Sequence, residues 1–398
     1  MINSKYYEEN PMRLVKNLNP IHNFDLGLSR REFSRPEEFR QENYEESFDR
    51  HVLAYDAIRR DGEIILVCPP LLNNQGAFKG LNFYEMPSGA KVEPSVNTFN
   101  RFTRVRFPVR EDTYCVVARG GFGEYVIHTT PSMCDRFAGL RVGVTISKNN
   151  DPVWLADWAR FHAKTAGMEA FLLYDNNSTS YDPNVIFDHM KDVGLKEFMI
   201  VKWPYKWGPI GFLEGRRRNH WDSNFGQLGM FEHARWTYLE KARSILNCDA
   251  DELVCPLEGD RSIFDAVEND PNFYKCMKGI WVEALRDNRL EGAIPRHAHF
   301  THTLNPPAET LTKWACVPGE MPTGVNFGTH VLRNTRGNPF RKHLSEDFVY
   351  FHFRGLTTSW KPERSSASQK RLIENGQSMM ESEPLKAAFD RAGMFDHA

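Results

Sequence analysis

The run Ile245-Leu246-Asn247-Cys248-Asp249-Ala250-Asp251-Glu252-Leu253 sets two aspartates, two residues apart, behind a short apolar strand pattern. Side chains at i and i+2 of an extended chain share a face, so both carboxylates can approach one ion. Mg2+ and Mn2+ take hard oxygen ligands, commonly one or two carboxylates together with substrate phosphates. Asp249 and Asp251 therefore read as a divalent-metal clamp on a diphosphate. A solvated acidic turn is the plainer reading of any D-x-D pair. The apolar strand before it and the pattern upstream favour the clamp.

Upstream, short apolar strands alternate with helices. Val142–Ser147 reads as a strand that ends in Lys148-Asn149-Asn150. Asp151 offers an N-cap and Pro152 a first helical residue, and Gly167 ends the helix between them. Trp154, Leu155, Trp158, Ala159, Phe161 and His162 fall at helical spacing along it. Ala170–Tyr174 is a second strand, closed by Asp175-Asn176-Asn177-Ser178. A helix over Pro183–Val193 and a strand over Glu197–Val201 follow. This alternation predicts an α/β fold with a mostly parallel sheet, helices on both faces, and ligands at the carboxyl edge. Thr145, Ser147, Lys148, Asp175 and Asn177 fall on that edge, where their polar groups could meet a base, ribose or phosphate. Asp and Asn also make ordinary turns there.

A prior of roughly one domain per 150 residues gives two or three domains for 398 residues. Residues 1–50 read as a charged, solvated extension or packing arm. Residues 51–141 read as a small β-rich N-terminal module of short strands between Pro, Gly and Asn turns. Within it, Gly120-Gly121-Phe122-Gly123 reads as a hairpin turn, because no helix pattern follows to make a dinucleotide loop. Residues 142–361 form the α/β domain, and 362–398 a helical tail. Inside the domain a helix is expected over Phe225–Arg243, a strand over Ser244–Cys248 and a short helix near Ser262–Val267. Strands are expected over Cys276–Ala284 and Phe348–Arg354, with an irregular stretch over 286–337.

Lys plus Arg is 50 and Asp plus Glu is 52, a net charge of −2. That balance argues against a protein whose main task is gripping nucleic acid. No apolar run reaches the roughly 18 residues of a membrane-spanning helix. Met1–Asn10 has no signal-peptide core. The expected location is the cytoplasm, with a peripheral station at the inner membrane face left open. Seven cysteines without a C-x-x-C pair imply scattered thiols, not a disulfide or zinc framework. His297, His299 and His302 lack the partners of a zinc site.

Three strings together resemble GT-A glycosyltransferases. Val144–Asn150 followed by Trp154–His162 is similar to the opening of that group. Phe171–Ser178 is similar to its "YDN.S" segment, and Asn247–Leu253 to its "DvDEF" segment. They occur in the family order, and Val52–Asp56 is similar to the start of glycosyltransferase family 92. The chain thus resembles families 2 and 92, the latter once called the domain-of-unknown-function-23 group, over roughly Val142–Lys361.

The resemblance implies a GT-A fold and transfer of a sugar from a nucleotide-diphosphate donor, a UDP-sugar being favoured. The acceptor would be a carbohydrate or lipid-linked glycan, as in bacterial surface-polysaccharide or glycoconjugate synthesis. Asp251 would hold Mn2+ or Mg2+, Asp249 would contact the ribose or share the ion, and Asp175 and Ser147 would lie near the base. The string Phe351-His352-Phe353-Arg354 to Lys361 resembles a late family motif whose histidine completes the metal site, so His352 is the third candidate ligand and His330 the runner-up. Phe353 stands where the family commonly has Tyr. The family places acceptor-side residues near Glu283 and Asp287, the candidate bases of an inverting transfer. A retaining enzyme would need no such base.

A diphosphate leaves readily once its charge is neutralised, by a metal or by cations such as Arg354, Lys361 or Arg216, Arg217 and Arg218. Two other readings stand beside this one. A sugar-nucleotide nucleotidyltransferase would use a Gly-rich phosphate loop, and Lys148-Asn149-Asn150-Asp151 has no glycine. A degenerate carbohydrate- or nucleotide-binding protein is opposed by the intact aspartates. A homo-oligomer is compatible with either.

Overall fold

Alternation of apolar strands and helices builds one half of the main sheet, and a strand with a buried charge builds into the other. The computed structural model describes residues 14–214, 217–219, 222–285, 294–334, 343–356 and 378–395, with the side chains of 212–219 outside the description. Contacts divide the chain into two units. One holds the residues up to Lys16, Asp135–Lys202 and Leu239 onward, and the other Asn17–Cys134 and Trp203–Tyr238.

Among the described residues the first unit carries a nine-stranded sheet. Its strands are β1 (Leu14–Lys16), β2 (Arg141–Ser147), β3 (Ala170–Asp175), β4 (Glu197–Lys202), β5 (Ser244–Asn247), β6 (Glu252–Pro256), β7 (Tyr274–Val282), β8 (Glu309–Cys316) and β9 (Leu344–Phe353). Their spatial order is β1-β4-β3-β2-β5-β8-β7-β9-β6. From β1 to β5 every neighbour is parallel. β8 then runs antiparallel to both β5 and β7, β7 and β9 are parallel, and β6 is antiparallel to β9. The fold is mixed α/β, and the parallel sheet expected from the sequence is confined to one half. The strand that interrupts it, β8, lies in the stretch 286–337 that reads as irregular. Its apolar pattern is broken by Lys313, which the fold buries completely.

Helix α1 (Pro152–Ala166) has the expected ends. Asp151 Oδ1 accepts the Val153 N–H at 2.9 Å, and Gly167 adopts φ +70° after the last turn. Its apolar face is buried, and Trp158 presses on β2 so closely that a Cβ at Gly143 would lie 2.5 Å from its ring and from Met168. Helix α2 (Val185–Met190) is shorter than its pattern suggests. Helix α3 (Ile263–Glu268) is capped by Ser262. In the tail, 362–377 lies outside the described residues. Ser378–Glu381 is a strand, and helix α4 (Glu383–Ala392) sets Phe389 against Phe161 of α1.

The second unit is β-rich. A four-stranded sheet includes the hairpin Cys115–Gly120/Gly123–His128, with Gly120 opposite Gly123, and a five-stranded sheet includes Glu63–Cys68 and Phe102–Pro108. Leu53, Ile64, Leu66, Phe83, Val105 and Phe107 belong to its core. The described part of the N-terminal arm, from Leu14 on, is packed, not solvated. Buried Arg35 pairs with Asp222 at 2.5 Å, and buried Arg31 donates to the carbonyls of Pro70, Asp49 and Val52 at 2.6 Å each. Buried guanidinium groups need such partners.

Residues 203–238 go with this unit, although the sequence reading runs one domain through them. The helix expected over Phe225–Arg243 is α-helical only over Phe225–Ala234, followed by a π-turn at Arg235–Leu239. The cause is local. The Trp236 carbonyl accepts from the Ser132 hydroxyl, and the Thr237 carbonyl takes the Met133 N–H at 2.7 Å, so neither continues an α-helical ladder. All seven cysteines are buried free thiols. Among the described residues no helix is long and apolar enough to cross a membrane.

One buried histidine ties α1 to β6 and makes the first unit acid-sensitive. His162 Nδ1–H donates to the Trp158 carbonyl at 2.9 Å, and Nε2 accepts the Val254 N–H at 3.2 Å. Burial pushes its pKa from 6.5 down to about 3, with the Trp158 bond opposing. The unfolded chain takes up a proton near 6.5 that the folded chain refuses. The stability supplied by neutral His162 is thus full above that pH and lost as pH falls toward 3. Urea midpoints should fall with acidification below pH 6.5. His162→Gln should lower the midpoint at pH 7.5 and flatten the profile between pH 6.5 and 5. An unchanged slope in the variant would contradict this assignment.

Candidate metal centre

β5 ends at Asn247, and the chain turns through Cys248-Asp249-Ala250-Asp251 before re-entering the sheet as β6. The turn is tied from within and from outside. The Glu252 N–H bonds the Asp249 carbonyl at 3.0 Å, and Glu252 Oε2 accepts the Asp249 N–H at 2.8 Å. The Asp251 carbonyl accepts the Phe353 N–H from the end of β9 at 2.9 Å. Buried His297 donates Nε2–H to the Ala250 carbonyl at 3.0 Å. Burial pushes the His297 pKa down, with Asp157 and the Ala250 bond opposing. Of the histidines at 297–302, His297 thus supports the D-x-D turn.

Two neighbouring strands bring charge to the turn. β8 pairs Trp314 with Asn247, which sets Lys313 beside the turn. Its Nζ lies 2.6 Å from Asp249 Oδ2 and 3.1 Å from Glu252 Oε2, and the side chain is fully buried. Burial works against the ammonium, but Asp249 and Glu252 outweigh it and hold its pKa above the ordinary lysine value. Burial also raises the Glu252 pKa, and Lys313 pulls it back down.

β9 pairs His352 with Glu252. His352 Nε2 lies 3.1 Å from Asp251 Oδ2, and Nδ1 lies 3.5 Å from Glu252 Oε1. Trp281 of β7 stacks on the imidazole at 4.1 Å, and the Arg354 guanidinium lies 4.0 Å from the Trp281 ring. Among the described residues one group has metal-ligand spacing: Asp251, Glu252 and His352 offer atoms within 4.8 Å of one another. An aspartate, a glutamate and an imidazole suit Mn2+ or Mg2+ better than a thiolate-seeking ion.

The other expected residues fall in three places. Thr145, Ser147, Lys148, Asp175 and Asn177 lie along the carboxyl edge of β2 and β3, with Ser147 opposite Asp175. Thr145 Oγ1 and Asp175 Oδ1 are buried without a hydrogen-bond partner among the described residues. Asp175 Oδ2 accepts the Ser178 N–H at 3.2 Å. Lys148 and Asn177 are exposed. Glu283, just past β7, is buried and takes a bond from Arg354 Nε at 3.3 Å, so both expected residues are engaged with each other. Asp249 lies against Lys313 and outside the three-residue group. His330 is tied to β8, its ring 3.0 Å from the Thr312 carbonyl. Asp287, Arg216 and Lys361, and the side chains of Arg217 and Arg218, lie outside the described residues.

Sequence reasoning missed three participants: Glu252, Lys313 and Trp281. Glu252 sits next to the D-x-D pair and signals itself only by adjacency. Lys313 has a usable signal, a lone charge flanked by Thr312 and Trp314-Ala315-Cys316, since lysine is almost never buried unpaired.

No family model and no curated protein matches the chain. Among solved structures, a likeness is found to core-mannan synthase A from Aspergillus fumigatus in its Mn/GDP form. It has 10% sequence identity and a TM-score of 0.23, and covers 36% of this chain and 41% of that one. A likeness of that size does not establish a shared fold.

The ion-pair geometry makes Lys313 a stability determinant. Lys313→Met removes one cation from two carboxylates, one of them buried. Breaking a buried pair in this way costs about 3–5 kcal/mol. Urea unfolding at pH 7.5 should show a loss of that size. A loss under about 1 kcal/mol, as for a surface pair, would contradict the description of Lys313 as a buried, paired ammonium.

Proposed function

We propose that the chain is a metal-dependent glycosyltransferase that moves a sugar from a nucleotide-diphosphate donor to a carbohydrate or lipid-linked acceptor. The observation that carries this reading is the pairing of Asp251 with His352 at the end of β5, on the edge where Thr145 and Asp175 present unpartnered buried oxygens. A binding edge with an acidic–histidine pair at one end and free base-reading groups at the other fits a nucleoside diphosphate. The open carboxyl edge of a parallel sheet is the usual place for such a ligand.

Asp251 and His352 are the residues that would hold Mn2+ or Mg2+. A bound divalent ion supplies positive charge that neutralises the departing diphosphate. Asp175 accepts an N–H from the base, and Thr145 donates or accepts beside it. An aspartate acceptor suits a base edge with a ring N–H, as in uracil or guanine, and the family resemblance favours a UDP-sugar. Asp249, held by Lys313, faces the ribose. In an inverting transfer Glu283 or Asp287 takes the acceptor proton. Arg354 fixes the Glu283 carboxylate and stacks on Trp281, which keeps His352 in place. A cytoplasmic role in bacterial surface-glycan synthesis belongs to the same reading.

Hydrolysis across a panel of nucleotide sugars tests it, with Mn2+, Mg2+ or EDTA. One donor should release its nucleoside diphosphate in Mn2+ or Mg2+. EDTA should abolish the release, and Asp251→Asn should lower it at least a hundred-fold. Release that persists equally in EDTA and in the variant would contradict the metal-dependent reading.

A further inference from the structure

Two of the histidines in the string 297–302 have defined partners. His299 closes a short turn: its Nδ1 accepts the Arg296 N–H at 3.1 Å, and its own backbone N–H returns to the Arg296 carbonyl at 3.0 Å. His297, inside that turn, is completely buried and reaches the Ala250 carbonyl at 3.0 Å. A carbonyl only accepts, so the His297 ring carries its proton on Nε2. Nδ1 is then an acceptor, buried and without a hydrogen-bond partner among the described residues. An unsatisfied buried acceptor is a cost to the fold. The ring carries that cost while making one bond, to the single residue between Asp249 and Asp251.

The turn is fastened to α1. Asp157, buried on α1, accepts from Arg296 Nε at 2.8 Å and also from Arg296 Nη2. Trp154 Nε1–H donates to the Pro295 carbonyl at 2.6 Å. The His297 ring also stands edge-on to Phe353 at 5.1 Å, and the Phe353 N–H binds the Asp251 carbonyl at 2.9 Å. Further on, His162 of α1 accepts the Val254 N–H at 3.2 Å. Helix α1 therefore holds the segment 250–254 at both ends, directly at Val254 and through residues 295–299 at Ala250.

We propose that His297 is a positioning residue of the metal centre: fastened to α1 by the Asp157–Arg296 pair, it fixes the Ala250 carbonyl and with it the direction in which Asp251 presents its carboxylate beside His352. His297 touches no ion itself. The proposal rests on the metal reading above. Groups behind the ligands set metal affinity by holding the ligands in place. A residue that served only the fold would change unfolding and leave ion affinity alone.

His297→Leu keeps an apolar side chain at the site and removes the donor, whereas His297→Gln keeps an amide N–H at about the reach of Nε2. Mn2+ titration calorimetry on the full chain, without nucleotide, should show affinity roughly ten- to a hundred-fold weaker in His297→Leu. His297→Gln should restore most of it. In parallel, imidazole nitrogen NMR of the metal-free wild type at pH 7.5 should show His297 with its proton on Nε2, a measurement that needs no variant to fold. Equal Mn2+ affinities in all three proteins, equal weakening in both variants, or a wild-type His297 with its proton on Nδ1 would overturn the positioning role alone. A wild type that binds no Mn2+ would overturn the metal reading, and this proposal with it.

Discussion

A buried ammonium among carboxylates governs the D-x-D turn. Asp249, Asp251 and Glu252 crowd three negative charges into four residues, and Glu252 is enclosed. At short range and low dielectric such repulsion is expensive, and an isolated buried carboxylate would neutralise itself by taking a proton. Lys313 supplies one positive charge from β8 and leaves two negative charges over. The same lysine engages Asp249 and Glu252, whereas Asp251 faces His352.

The switch from parallel to antiparallel pairing at β8 makes this possible. A fully parallel sheet would bring another carboxyl end beside β5. An antiparallel β8 instead brings the middle of a strand, and with it Lys313, to the turn that follows β5. β7 and β9 then run parallel, so Trp281 and His352 pair directly and their rings stack. The carboxyl edge of β2 and β3 stays open on the other side of β5, where Thr145 and Asp175 lie. Thr145 and Asp175 thus lie on one side of β5, and Lys313, Trp281 and His352 on strands of the other side.

Much of the parallel half was legible because its signals are local. The Asp151 cap, the Pro152 start, the Gly167 stop and the apolar face of α1 all follow from neighbours in sequence. Asp249, Asp251 and His352 were legible as residue types that chemistry can use, and the fold sets His352 against Asp251. Other features depend on partners far along the chain. Lys313 looks like an interruption until Asp249 and Glu252 are placed beside it. The Phe225 helix looks continuous until the carbonyls of Trp236 and Thr237 are claimed by Ser132 and Met133. The N-terminal arm looks solvated until Asp222 and three distant carbonyls take up its arginines. Each case is a charged or polar group whose environment is set by tertiary contacts, which propensity and periodicity do not carry.

The central claim is that the carboxylates and imidazole at the end of β5 form a divalent-metal centre. Anomalous diffraction at the manganese edge, from crystals of the full chain grown with Mn2+ and a nucleoside diphosphate, tests it most directly. The account predicts a peak within about 2.0–2.4 Å of an Asp251 oxygen and His352 Nε2, with the diphosphate completing the shell and Lys313 still on Asp249 and Glu252. A nucleotide bound along the edge with no manganese at Asp251, or manganese held elsewhere in the chain, would contradict it.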